Sequence, residues 1–230
     1  MYDIAIIGAG ITGGMLARTL AAYDLKICIL EKENDVAMGA TRANSGIVHA
    51  GYDAEEGSLK AKLNVRGSEM METVARELGV PYRNNGSMVI GFNEDDRKVV
   101  EQLYRRGIKN GVKNLRILTG EEARRLEPNL SEDVVCALYA PSCAIICPYE
   151  LAIAAVGNAM DNGAELLLNF EVQGIEKKEE YYEIVSGTRE PECPRKVQAR
   201  YVVNAAGVYS DEIAKLAGDH TIQVHPRRGE

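Results

Sequence analysis

Apolar and polar positions along the chain switch period several times, and the first switch comes at once. Residues 3–7 form an apolar run that stops at Gly8, the pattern of a strand buried on both faces. Residues 11–23 place Leu16, Ala17 and Leu20 on one helical face, and residues 25–30 make a second apolar strand closed by Glu31. This is a β-α-β unit. Residues 34–57 lose periodicity and are rich in small side chains, which predicts a long functional loop. A helix is predicted over 59–78, with Leu59, Leu63, Met70, Met71, Val74 and Leu78 as its apolar positions. A strand over 86–91 is followed by Asn93, Glu94, Asp95 and Asp96, which start a helix running to about residue 109 through a side-chain cap and an acidic first turn. Thr119 and Glu122 have capping-box spacing for a short helix that stops before Pro128. Residues 134–139 form another strand.

From Pro148 the alternation of helix and strand returns. Pro148 suits a helix first turn and Gly163 its end. Strands follow over 164–169, 172–178 and 181–186, the last pairing with the one before it, and then over 197–204, before a short helix over 210–217. The fold class is α/β: a doubly wound, Rossmann-like sheet interrupted between about residues 80 and 145. The chain stops at Arg227, Arg228, Gly229 and Glu230 with no cap or polar tail, which reads as a piece of a longer protein.

Composition narrows the function. The 230 residues are 46% hydrophobic and 27% charged, ordinary for a soluble globular protein. Mean hydropathy is −0.20, and no apolar run reaches membrane-spanning length. Met1, Tyr2 and Asp3 lack the basic region of a signal peptide. A net charge of −7 argues against a broad nucleic-acid surface. Five cysteines without a CxxC pair give neither a disulfide framework nor zinc spacing, and with three histidines no metal site is expected. These features point to a reducing, cytoplasmic compartment. Cys143 and Cys147, with three residues between them, read as small buried side chains or free thiols near a helix start.

The chemistry-bearing motif is the G-x-G-x-x-G of residues 8–13, with Ile11 and Thr12 between its last two glycines. It follows a strand and opens a helix, and Glu31 stands 18 positions after Gly13 at the end of the second strand. That context identifies a dinucleotide site. Gly8 permits the tight turn, Gly10 lets the backbone approach a pyrophosphate, and Gly13 lets helix and strand pack closely. The helix N-terminus offers N–H groups to the phosphates, and Glu31 can accept from ribose hydroxyls. The motif does not choose between NAD and FAD. Residues 40–51, rich in small and polar groups, suit a backbone lying along an extended cofactor, or a plain surface loop.

Together, the glycine motif with Glu31, residues 41–51 (TRANSGIVHAG) and residues 202–211 (VVNAAGVYSD) resemble the D-amino-acid-oxidase-like FAD-dependent oxidoreductases. Within that family the chain is most similar to the branch of FAD-dependent glycerol-3-phosphate dehydrogenases and L-2-hydroxyglutarate dehydrogenases, through residues 57–63, 79–82 and 226–230. The resemblance spans essentially the whole chain, while family members are considerably longer. It implies an FAD-binding domain over residues 1–79 and 146–220, a partial antiparallel α+β substrate domain over 80–145, and the start of a return to it over 221–230.

It also implies roles. Gly8, Gly10, Ile11, Thr12, Gly13, Glu31 and Lys32 would hold the ADP half; Thr41, Arg42, Asn44 and Ser45 would line pyrophosphate and flavin. Val172 would meet the adenine through its backbone, and Ala205, Ala206 and Gly207 would pass close under the cofactor where no larger side chain fits. A family histidine at the position of His49 lies beside the flavin, so His49 is a candidate base, substrate ligand or flavin tether, against a structural histidine in a turn. Arg228 offers a guanidinium fork to a carboxylate or phosphate, against a solvated charge near the chain end. His220 and His225 read as loop and strand residues.

The implied activity is FAD-dependent oxidation of a small anionic hydroxy substrate. Hydride would pass to flavin N5 while a base takes the hydroxyl proton. sn-Glycerol 3-phosphate is the first expectation and L-2-hydroxyglutarate the second. An amine oxidase, including an RNA-modifying one, and a non-catalytic dinucleotide-binding module are the other classes. The electron acceptor is open; the branch allows peripheral attachment to the inner face of the membrane.

Overall fold

A computed structural model describes residues 1–187 and 195–226. Cys193 and Arg228 lie outside the described residues. The chain divides into two compact units, Met1–Ser45 with Pro148–Glu230, and Gly46–Cys147.

The first unit begins with strand β1 (Tyr2–Ile7), helix α1 (Ile11–Leu20) and strand β2 (Ile27–Leu30). The predicted β-α-β unit is therefore present, with a helix shorter than the sequence pattern suggested.

The second unit contains β3 (Ile47–Val48), α2 (Leu59–Glu77), β4 (Tyr82–Arg83), β5 (Ser87–Gly91), α3 (Glu94–Lys109), β6 (Arg116–Thr119), α4 (Gly120–Leu126), β7 (Cys136–Ala140) and β8 (Ala144–Ile146). These strands form two antiparallel three-stranded sheets, β3-β8-β4 and β5-β7-β6. The caps are as expected: Asn93 accepts from the N–H groups of Asp95 and Asp96, and Thr119 and Glu122 close a reciprocal capping box. Strands β4, β6 and β8 escape a sequence reading because two to four residues show no period. The compact unit starts and ends elsewhere than the sequence change-points at 79/80 and 145/146. Helix α2 goes with it because Val65 packs on the cluster holding Ala50, Val100 and Leu115. The expected apolar stripe of α2 is largely unburied: Leu59, Leu63 and Met70 are exposed, while Ala61, Val74 and Ala75 are buried.

Back in the first unit, α5 (Pro148–Asp161), β9 (Glu165–Leu167), β10 (Glu171–Lys177), β11 (Tyr182–Gly187), β12 (Lys196–Asn204) and α6 (Ser210–Leu216) complete a six-stranded sheet in the order β10-β11-β12-β1-β2-β9. Strands β12, β1, β2 and β9 are parallel, and β10 and β11 add an antiparallel hairpin at one edge. The apolar positions of β1 and β2 serve both sheet faces through the strand period of two. Ala5, Ile7, Cys28 and Leu30 join Phe170, Ile184 and Val197, with Ile213 and Leu216 of α6 against them. Ile6, Ile27 and Ile29 join Ala17 of α1 and Val156 of α5. Helices on both faces make this the doubly wound α/β architecture.

Candidate active site: the dinucleotide cavity

The turn from β1 into α1 is glycine-dependent. Gly8 has φ +107°, and a Cβ there would lie 2.5 Å from the Ala205 carbonyl oxygen. A Cβ on Gly13 would lie 1.9 Å from the Gly8 carbonyl oxygen, which is the close helix–strand packing expected of it. At Gly10 the added atom would sit 3.1 Å from Thr41 Oγ1. Helix α1 opens on Gly10 without a side-chain cap from that residue. Instead the Ile11 N–H donates to Thr41 Oγ1 at 3.0 Å, leaving the Thr41 hydroxyl proton to give elsewhere.

Glu31 is buried at the end of β2. Its Oε2 accepts the Ala9 N–H at 2.8 Å and its Oε1 the Glu33 N–H at 3.0 Å. These charge-assisted bonds offset the desolvation of a buried carboxylate. Each oxygen keeps lone-pair capacity for a further donor.

Around this turn lies a cavity of about 310 Å³ within the first unit. Of the sequence-expected residues, Gly8, Gly10, Ile11, Thr12, Glu31, Lys32, Thr41, Val172, Ala205, Ala206 and Gly207 line it. Gly13 acts beneath, in the packing of α1. Asn44 acts one step back: its Nδ2 donates to the Thr41 carbonyl at 2.8 Å and the Ala40 carbonyl at 3.2 Å, holding the short 3-10 turn Ala40–Arg42. Arg42 and Ser45 are exposed on the same segment, with Arg42 Nη1 at 3.5 Å from Met38 Sδ. Gly207 has φ +59°, a backbone conformation that favours glycine, and an added Cβ would meet nothing within 4 Å beyond its chain neighbours, so the backbone and not protein packing asks for glycine there. Val172 stands at a shift in the β10–β11 register, a bulge beside the cavity. His49 belongs to the second unit, where it is exposed just after β3 and its carbonyl accepts from Asn64 Nδ2 at 2.6 Å.

The sequence did not single out Phe170 and Tyr209, which also line the cavity. Phe170 is fully buried and reads in sequence as ordinary core. Tyr209 takes the Lys32 ammonium 3.7 Å from its ring centroid, a cation–π pair between two cavity walls.

A strand–turn–helix cradle that admits no Cβ at Gly8 or Gly13, a buried carboxylate at the end of the next strand and an extended cavity between them fit an adenine dinucleotide. The profile of one family, described as FAD dependent oxidoreductase, matches residues 3–230. The chain belongs to the FAD-dependent oxidoreductase family. FAD is that family's cofactor, which settles the choice that the glycine motif left open. Among its relatives, a glycerol 3-phosphate dehydrogenase of Caloramator mitchellensis is 44% identical over 230 residues, 100% of this chain and 47% of that protein. The human mitochondrial L-2-hydroxyglutarate dehydrogenase is 32% identical over 229 residues, 94% of this chain and 48% of that protein. In structure, a dithionite-reduced L-alpha-glycerophosphate oxidase of Mycoplasma pneumoniae with FAD bound superposes with a TM-score of 0.87 at 29% identity, over 94% of this chain and 56% of that one. The chain spans about half the length of the curated relatives it matches. In this chain the glycine turn and Glu31 follow two adjacent parallel strands, β1 and β2.

Proposed function

We propose that this chain carries the FAD-binding part of an enzyme that oxidises sn-glycerol 3-phosphate. The 44% identity to a glycerol 3-phosphate dehydrogenase over all 230 residues carries the choice of substrate. The cavity supports the cofactor: Glu31 takes the adenosine ribose, the α1 N-terminus with Gly10 and Thr41 takes the pyrophosphate, and Val172 meets the adenine with its backbone. Bound FAD supplies a two-electron acceptor for the substrate's carbon-bound hydrogen. The chain's residues orient that cofactor and keep its anionic centre against N–H donors and a helix dipole rather than water.

His49 enters this proposal through the family resemblance, as the group that takes the hydroxyl proton, binds substrate or tethers the flavin. Arg228 enters it as the fork for the substrate's phosphate. The residue 46–147 unit is proposed to serve the substrate side. The acidic balance and the free thiols of Cys28, Cys136, Cys143 and Cys147 support a cytoplasmic enzyme.

Anaerobic reduction of the flavin in the full chain, followed by absorbance, tests the reading against glycerol 3-phosphate, L-2-hydroxyglutarate and glycine. Bleaching by glycerol 3-phosphate is expected. Bleaching by L-2-hydroxyglutarate alone would move the assignment to the second reading, which the 32% identical human relative favours.

A further inference from the structure

We infer that Arg195 is a positioning residue for the adenosine half of the cofactor, acting through the turn that holds the Glu31 strand end. The inference rests on the FAD reading above. It comes from a chain of contacts that begins outside the cavity and ends in its wall.

The backbone of Glu31 is gripped on one side by the end of β9 and on the other by the turn that leads into β10. The Glu31 N–H donates to the Leu167 carbonyl at 2.9 Å, and the Phe170 N–H donates to the Glu31 carbonyl at 2.8 Å. The Asn169 N–H adds a third bond, to the Glu33 carbonyl at 2.9 Å. These bonds set where the Glu31 carboxylate can reach. Within the turn Asn169 holds φ +51°, the left-handed conformation that asparagine tolerates better than most non-glycine residues.

Arg195 meets the turn on its carbonyl side. Its Nη1 donates to the Leu168 carbonyl at 3.1 Å and approaches the Asn169 carbonyl at 3.4 Å. The guanidinium lies 5.1 Å from the ring centroid of Phe170, whose ring is buried and lines the cavity. Arg195 is itself anchored, because its carbonyl accepts the N–H of the buried Ser186 at 2.9 Å. The N–H groups of the turn therefore fix the end of β2 while Arg195 fixes its carbonyls and one face of its aromatic residue. Removing the guanidinium frees two carbonyls and relaxes the turn that positions Glu31 and leads into Val172. The adenosine half of the cofactor should feel this, although Arg195 does not touch it.

The test uses the full chain, stripped of flavin and titrated with FAD and, separately, with ADP, for wild type, Arg195→Ala, Arg195→Met and Arg195→Lys. We expect Arg195→Ala and Arg195→Met to raise the Kd of FAD by about 5- to 30-fold, on the scale of a lost charged hydrogen bond shared with solvent. The Kd of ADP should rise by the same factor. Arg195→Lys, which keeps a cation over the ring and donors for the carbonyls, should recover most of the loss. A purely structural role would lower the melting temperature of the apoprotein but leave both Kd values of the folded protein unchanged, and that outcome overturns the inference. Should Arg195→Ala fail to fold, Arg195→Met decides: it keeps the side-chain stem and loses only the donors and charge. A wild-type chain that binds neither FAD nor ADP would overturn the functional reading itself, which separates the two failures.

Discussion

The Ala9 N–H donates to Glu31 Oε2 at 2.8 Å, so the glycine turn and the acidic strand end are one hydrogen-bonded unit rather than two neighbouring motifs. Ala9 stands just before α1, where the helix dipole favours negative charge. The bond fixes the carboxylate relative to the turn before any ligand arrives, which would preorganise it for the ribose contact proposed above.

That bond makes Glu31→Gln a severe change for its size. One carboxamide end is an NH₂ that must face either the Ala9 or the Glu33 N–H, donor against donor. FAD binding should weaken by about 1–3 kcal/mol. Titration of the apoprotein with FAD measures it, and an unchanged affinity would reduce Glu31 to a packed strand-end charge.

Gly13→Ala should act on the fold more than on the cofactor, because the new atom meets backbone, 1.9 Å from the Gly8 carbonyl oxygen. A loss of about 1–3 kcal/mol of stability is expected, read from thermal or denaturant unfolding. Gly10→Val should do the reverse. Its Cβ meets only the Thr41 hydroxyl, at 3.1 Å, so the protein should fold and fail to retain FAD.

The cofactor itself is checked by denaturing the purified holoprotein and identifying what is released. FAD is the expected product; release of NAD without flavin would remove the basis of every substrate proposed here.

His49→Ala should slow flavin reduction by about 10²–10⁴-fold with FAD still bound if the histidine acts on substrate or tunes the flavin. Acid precipitation tests the tether: yellow colour should stay with wild-type protein and leave the variant. Stopped-flow reduction with cofactor occupancy checked distinguishes these outcomes. A normal rate in a fully loaded variant leaves His49 only the contact its carbonyl makes with Asn64.

Thiol reactivity should follow burial. The Cys28 thiol is pushed up to about 12, first by burial and then by the Glu165 charge, and burial also raises Cys136. A raised thiol pKa means little thiolate at pH 8, hence little nucleophile. Iodoacetamide at pH 8 should therefore modify the exposed Cys147 in native protein and spare Cys28 and Cys136 until it unfolds. Peptide mass spectrometry reads each site, and rapid labelling of Cys28 would contradict the buried β2.

The sequence by itself determined the features whose cause is local. Residues 4–7 and 27–30 had to be strands with both faces covered because both faces are apolar, and the Gly8, Gly10 and Gly13 spacing with Glu31 after the second strand specified a dinucleotide turn. The caps at Asn93 and Thr119 were equally legible, since each partner lies within three residues. Tertiary structure alone decided which distant residues complete the site. Thr41 reaches the Ile11 N–H from 30 positions away, and the turn carrying Phe170 returns from beyond a whole second unit to hold Glu31. Thr41 was named only through the family resemblance, and nothing in the local pattern of Phe170, Tyr209 or Arg195 marks them, because each acts through a hydrogen bond or ring contact whose other half is set by strand order. The exposed Leu59, Leu63 and Met70 of α2 show the same limit from the other side: periodicity names an apolar face, and only packing decides whether it is buried.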